Sequence, residues 1–127
     1  MKTAILLMAH GSRIPEANHA VTRVAAMVKD FGDYDIVEVS FRENHSPNIQ
    51  QGIDACVAQG AERILLVPYF LSLGAHVLED LPKEMEKGQM RHPGVEMAMS
   101  KHLGVHKRLA KLVVDRIEEA FGEKGWN

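Results

Sequence analysis

Two short apolar runs constrain this chain more than any other feature. Each runs out into a loop that carries a glycine and a histidine. The first is Thr3–Met8, followed by Ala9-His10-Gly11-Ser12. The second is Ile64-Leu65-Leu66-Val67, followed by Pro68, the apolar loop Tyr69–Leu73, Gly74 and His76. Continuous aliphatic runs of this length suit strands buried on both faces. Pro68 stops the second ladder because it has no N–H to give. Strands of this kind need helices over both faces of the sheet, and the rest of the chain supplies helical patterns between them.

The order reads strand, helix, four times over. Thr3–Met8 is the first strand. The first helix runs from Ile14 to about Phe31, with Ala17, Ala20, Val21, Val24, Ala25 and Val28 at helical spacing. Tyr34–Phe41 is the second strand, and Pro47–Gln59 the second helix, closed by Gly60. Arg63–Val67 is the third strand. A third helix runs from His76 to about Lys87, kinked or broken at Pro82, and Gly88–Gly94 is a polar loop. Val95–Met99 is the fourth strand. Val105–Phe121 is the last helix, with Leu109, Leu112, Val113, Arg116 and Ile117 on its inner face. The fold class expected is α/β, a three-layer sandwich around a four-stranded, mainly parallel sheet, with residues 1–127 as one domain. Right-handed crossovers follow from strand twist. The loops Ala9–Arg13, Arg42–Ser46, Pro68–Ala75 and Ser100–Gly104 then gather at one edge, where open α/β sheets bind ligands. So small a sheet needs cover for its outer strands, and a homodimer supplies it.

Composition removes several function classes. The net charge of -2 argues against nucleic acid as the main partner, since phosphate binding needs a basic face. No apolar run is long enough to span a bilayer, so no membrane partner is expected. The opening Met-Lys and apolar run pass straight into His10-Gly11-Ser12-Arg13, which reads as a first strand in a cytoplasmic protein and not as a secretory signal. The lone cysteine, Cys56, falls in a helix and reads as a small core residue. Met8, Met27, Met97 and Met99 read as core fillers.

His10, Glu43 and His76 come from three of the gathered loops. Imidazole and carboxylate are ordinary ligands for a divalent first-row metal. His45, two residues from Glu43, is an alternative ligand. The Ala9–Ser12 turn and the helix start that follows offer N–H groups to an anion, with Arg13 and Arg42 alongside. Neither GxGxxG nor GxxxxGK[ST] occurs, so a dinucleotide or P-loop reading lacks support. Ser12 lacks the GxSxG setting of a nucleophile. His19 and His92 read as surface or structural residues, and His102 and His106 as caps of the last helix. Tyr69, Phe70, Leu71 and Leu73 form an apolar loop that either packs on the sheet, walls a large flat ligand or meets a second chain.

The strand-end patterns MAHGSR, EVSFRE and VPYFLSLGAHVLEDLP, with the later KHLGVHKRLAKLVVDRI, resemble the short form of the CbiX/SirB family of class II tetrapyrrole chelatases. The resemblance covers nearly the whole chain. It implies a chelatase-type α/β half-unit, working as a homodimer, that inserts a divalent metal into sirohydrochlorin without ATP. The metal is a substrate and no cofactor is held permanently. Cobalt, on the way to cobalamin by the anaerobic route, is the metal expected. Iron for siroheme and nickel for coenzyme F430 are the alternatives, and a non-catalytic metal or tetrapyrrole carrier is a further one. The family's two metal-binding histidines fall on His10 and His76, and an acidic ligand used in some members falls on Glu43. The macrocycle's faces would meet the stretch Phe70, Leu71, Ser72, Leu73, Gly74 and Ala75, and its carboxylates Ser12, Arg13 and Arg42. Asn44-His45-Ser46 departs from the aliphatic or alanine-rich stretch that often follows the family's glutamate.

Overall fold

The computed structural model describes residues 1–127. The four strands are β1 (Thr3–Ala9), β2 (Ile36–Phe41), β3 (Arg63–Pro68) and β4 (Glu96–Met99). The helices are α1 (Pro15–Gly32), α2 (Ile49–Ala58), α3 (Ala75–Arg91) and α4 (Lys107–Lys124). The sheet runs β2-β1-β3-β4 and every pairing is parallel. The apolar runs account for this order. β1 and β3, the two most continuous, lie side by side in the middle, and every residue of β1 after Thr3 is buried.

Alternation along the strands sends side chains to two separate cores. Ala4, Leu6 and Met8 join Ile64 and Leu66 beneath Ile49, Ile53 and Cys56 of α2 and Val77 and Leu81 of α3. Ile5, Leu7 and Ala9 join Val39 and Phe41 beneath Ala25 and Val21 of α1. Cys56 is fully buried, and burial pushes its thiol up to about 12, with the charge of Glu38 adding to the shift. It is a core residue, as its helical position implied.

Local chemistry moved several boundaries. α2 starts two residues after Pro47 because Asn48 and Gln51 close a capping box, each side chain accepting from the other's backbone N–H at 2.8 Å. α3 passes through Pro82 without ending and continues past Lys87 to Arg91. Gly88 is not a loop residue. It is buried in the helix, where a Cβ would overlap the Ile53 side chain, so the glycine sets how closely α3 approaches α2. Arg91 donates to both oxygens of Asp54 at 2.7 and 2.8 Å, and His92 meets Asp54 at 2.8 Å. These bonds tie the last turn of α3 to α2. Met27 is exposed and fills no core gap. The first-helix residues Ala17 and Ala20 are also exposed, so α1 buries a narrower stripe than its pattern suggested.

The largest departure is α4. Its apolar stripe is present, and His106 caps its start by accepting the Arg108 N–H at Nδ1, 3.0 Å. Yet no residue of α4 is buried, and Leu109 alone is half-buried. The inner face expected from the sequence has no inner surface against it.

Candidate active site

β1 and β2 continue their ladder beyond the strand ends. Arg42 N–H donates to the Ala9 carbonyl at 2.8 Å, and Glu43 N–H to the His10 carbonyl at 3.1 Å. The backbones can run this close because Gly11 lies between them at φ +90. A Cβ on Gly11 would overlap the Glu43 carbonyl oxygen. The register then sets two side chains together. His10 Nε2 and Glu43 Oε1 are 2.9 Å apart, and both side chains are open to solvent, 57% and 49% exposed. Two ligand atoms bound at about 2.0–2.1 Å to one first-row ion stand about 3 Å apart at a right angle. The pair is in direct contact now, and its two ligand atoms are close enough that turning the side chains would aim both at one divalent ion.

The β3 end supplies the wall. Tyr69 N–H donates to the Met8 carbonyl at 2.8 Å, which carries the loop along the rim of β1. Phe70 stands edge-on to the His10 ring, with centroids 6.3 Å apart. Leu73 packs on the core, whereas Leu71 and Ser72 are exposed. Gly74 is the N-cap of α3 and Ala75 its first residue, which leaves His76 exposed in the helix's first turn. No three metal-binding side chains form one cluster in the chain. His10 and Glu43 are brought together, and His76 stands on the neighbouring loop-to-helix junction of the same edge.

Other expected site residues are engaged elsewhere. Ser12 N–H donates to Asn18 Oδ1, the Asn18 amide donates back to the Ser12 carbonyl, both at 2.8 Å, and Ser12 Oγ accepts from Ile14 N–H at 3.0 Å. Two N–H groups of the suggested anion seat are thus spent on the turn itself. Asn18 is buried, and the sequence reading missed it; its signal is an amide among the small apolar residues of the first helix. Arg13 is exposed at the mouth of this turn. Arg42 is clamped to Asp80 by a 2.6 Å bond from Nη2, while its Nε is buried without a partner. Asp80 lies one helical turn after His76, so the clamp ties the Glu43 loop to the helix that carries His76. Asp80 was also missed, although an acid four residues after a helix-start histidine is a legible pattern. His45 does not share the pair. Its ring stands edge-on to Phe41 at 4.9 Å, facing α1 and His19. A polar cleft of about 500 Å³ runs from Arg42 and Glu43 past Asp80 to Lys83 and Lys87.

A family model, CbiX, matches residues 4–120. The chain belongs to the CbiX family. It is 41% identical over 122 residues to a sirohydrochlorin ferrochelatase of Priestia megaterium, covering 95% of this chain and 46% of that protein. It is 32% identical over 141 residues to a sirohydrochlorin cobaltochelatase of Methanopyrus kandleri, covering 95% and 99%. It superposes with TM-score 0.87 on the sirohydrochlorin chelatase SirB from Bacillus subtilis subspecies spizizenii in complex with cobalt, at 34% identity, covering 94% of this chain and 51% of SirB. This CbiX-family chain thus spans about half the length of the Priestia protein and of SirB, and nearly all of the Methanopyrus one. No helix is long and apolar enough to cross a membrane.

Two ion pairs set a pH limit on the fold that carries this edge. Hydrogen bonding to Arg91 first, then to His92, holds the Asp54 carboxyl below its ordinary range against the opposing effect of burial. Arg42 does the same for Asp80. A carboxyl whose folded value lies below its unfolded value, about 3.9, adds stability above that value and loses it as pH falls through the folded one. Asp54→Asn and Asp80→Asn are therefore expected to flatten the fall in melting temperature below about pH 4, and to leave its slope between pH 5 and 7 unchanged. Thermal melts of the three proteins from pH 3 to 7 check this.

Proposed function

We propose that this chain is a class II, ATP-independent chelatase, a lyase that inserts a divalent metal into sirohydrochlorin, with cobalt as the metal and anaerobic cobalamin synthesis as the route served. The observation that carries the reading is the open His10–Glu43 pair beside Phe70, at the strand-end edge of a CbiX-family chain. In this reading residues 1–127 form one chelatase-like unit, acting as a homodimer in the cytoplasm.

Insertion replaces two pyrrolic N–H protons by one divalent ion, so two protons leave as the metal enters. The ion must also shed its water ligands. His10 and His76 hold it through neutral imidazole nitrogens, and Glu43 completes the grip. As the ring nitrogens capture the metal, a freed imidazole takes one proton and the carboxylate the other. Imidazole suits the exchange because its unperturbed pKa is near neutral. Phe70 to Ala75 offer a flat face to the macrocycle, and Arg13 meets its carboxylates. Ser12 and Arg42 act by holding the loops, given the bonds they already make.

A second reading, ferrous iron for siroheme, is favoured by the 41% identity to a protein named a ferrochelatase. Imidazole and carboxylate accept both metals, so the ligand set leaves the choice to metal supply and pocket shape. Anaerobic competition among Co²⁺, Fe²⁺ and Ni²⁺ at equal concentration separates them. The expected result is a kcat/KM for Co²⁺ at least about tenfold above the others, a preference of about 1.4 kcal/mol. Preference for Fe²⁺ by that margin would replace cobalt with iron.

A further inference from the structure

One acidic side chain beside the candidate site has half of its bonding capacity to spare. Asp80 accepts from Arg42 Nη2 at 2.6 Å through Oδ2, and that bond alone holds its side chain. Its Oδ1 is left open, on a side chain 43% exposed. His76 lies four residues earlier on α3. Residues so spaced are neighbours on one face of a helix, with Cβ atoms about 5–6 Å apart. Helical side chains also lean toward the N-terminus, which lays the Asp80 carboxylate over the turn that His76 begins. The Asp80 carboxyl is held low by Arg42 first, and the charge of His76 adds to the effect. His76 is exposed, and its ring has none of the ion pairs that fix His10 and His92.

We propose that Asp80 is the positioning residue of His76: its open oxygen accepts the N–H of one ring nitrogen, so that the other faces the ion held at His10 and Glu43. The inference rests on the role given to His76 in metal insertion and names what directs that ring. A neutral imidazole has one donor and one acceptor nitrogen, so fixing the donor fixes the nitrogen left for metal. Histidines that bind metals commonly donate their second N–H to a carboxylate or a carbonyl. His76 needs such a director more than His10 does. Glu43 already meets His10 at 2.9 Å, whereas no three metal-binding side chains form one cluster. The His76 ring therefore has to turn to join the pair. A freely rotating ring loses rotamer entropy at each capture, and a fixed acceptor removes part of that cost.

Arg42 completes the device. It precedes Glu43 in the chain, its side chain is only 22% exposed, and its Nε is buried. So enclosed a side chain has little room to swing. The carboxylate bonded to it is fixed relative to the strand end that carries Glu43. One bond thus sets Asp80, and through it His76, in the frame of the other two proposed ligands. The next acid along this face of α3, Glu84, is engaged instead by the Gln50 amide at 3.3 Å.

Calorimetry of Co²⁺ binding to the purified chain, with no macrocycle present, tests the inference. Asp80→Ala is expected to raise the Co²⁺ dissociation constant about 10–100-fold. Asp80→Asn keeps an acceptor oxygen without the charge and raises it by a smaller factor. Glu79→Ala removes an equal charge from an exposed neighbour on the same turn and changes the constant less than about threefold. His76→Ala raises the constant as well. Adding Asp80→Ala to His76→Ala changes nothing further, because the carboxylate acts through the ring. Additive losses, equal losses for Asp80→Ala and Glu79→Ala, parent affinity in Asp80→Ala, or a parent that binds no Co²⁺ each overturn the inference. Where circular dichroism shows Asp80→Ala unfolded, Asp80→Asn takes its place in the same cycle. In turnover the loss falls on KM for Co²⁺, with KM for sirohydrochlorin within about twofold of the parent. A rise in both KM values marks a merely structural role and counts against the proposal. The expected Co²⁺ pattern in a chain that metallates nothing removes the chelatase reading and keeps the inference; metallation untouched by Asp80→Ala does the reverse.

Discussion

His76→Ala is expected to abolish metal insertion without unfolding the protein, and His10→Ala to do nearly the same. Both imidazoles are exposed, so neither substitution leaves a cavity or an unpaired buried group. The loss falls on the chemistry. A positioned acid–base side chain contributes about 10²–10⁴-fold, and in the proposed mechanism each histidine also holds the ion. We expect kcat/KM to fall at least about a hundredfold for either variant, with the melting temperature unchanged. Glu43→Gln keeps the hydrogen bond to His10 and removes the charge, and its loss is smaller, about tenfold. Initial rates of macrocycle metallation on purified variants measure all three. Rates within a factor of about three of the parent for His76→Ala or His10→Ala would remove those residues from the mechanism.

Gly11→Ala carries the largest expected cost to the fold outside the cores. At φ +90 a Cβ is strained, and here it would also overlap the Glu43 carbonyl. The ladder that joins Ala9 and His10 to Arg42 and Glu43 has to open to admit it. We expect a loss of about 2–4 kcal/mol, or roughly 10 °C in melting temperature, together with loss of metal insertion as Glu43 moves away from His10. Gly74→Ala is the contrast. Gly74 has φ -70 and nothing within 4 Å of a built Cβ. That variant should stay within about 0.5 kcal/mol of the parent. Equal effects at the two glycines would contradict the role given to the Gly11 approach.

The alternation of strands and helices was legible because parallel strands buried on both faces leave unbroken aliphatic runs, and Thr3–Ala9 and Arg63–Pro68 are such runs. Boundaries were less legible where a side chain decides them. Asn48 starts α2 through a bond to Gln51, and Gly88, which reads as a stop, is a packing residue. His10, Glu43 and His76 stand out as metal-ligand types in strand-end loops. Which of them meet depends on the pairing of Ala9 with Phe41, and no local pattern encodes that register. For the same reason Arg42 read as free, since Asp80 lies 38 residues away. The exposure of α4 was invisible for a different reason: its apolar stripe has the same spacing whether or not anything covers it.

The central claim is turnover at the His10–Glu43 edge. Purified protein mixed anaerobically with a large excess of sirohydrochlorin and Co²⁺, followed by the absorbance of the macrocycle, tests it most directly. The account predicts saturable metallation, many macrocycles per chain, at a rate that collapses in His10→Ala. A single stoichiometric change with no rate above the spontaneous reaction would contradict it, and would make the chain a carrier of metal or tetrapyrrole.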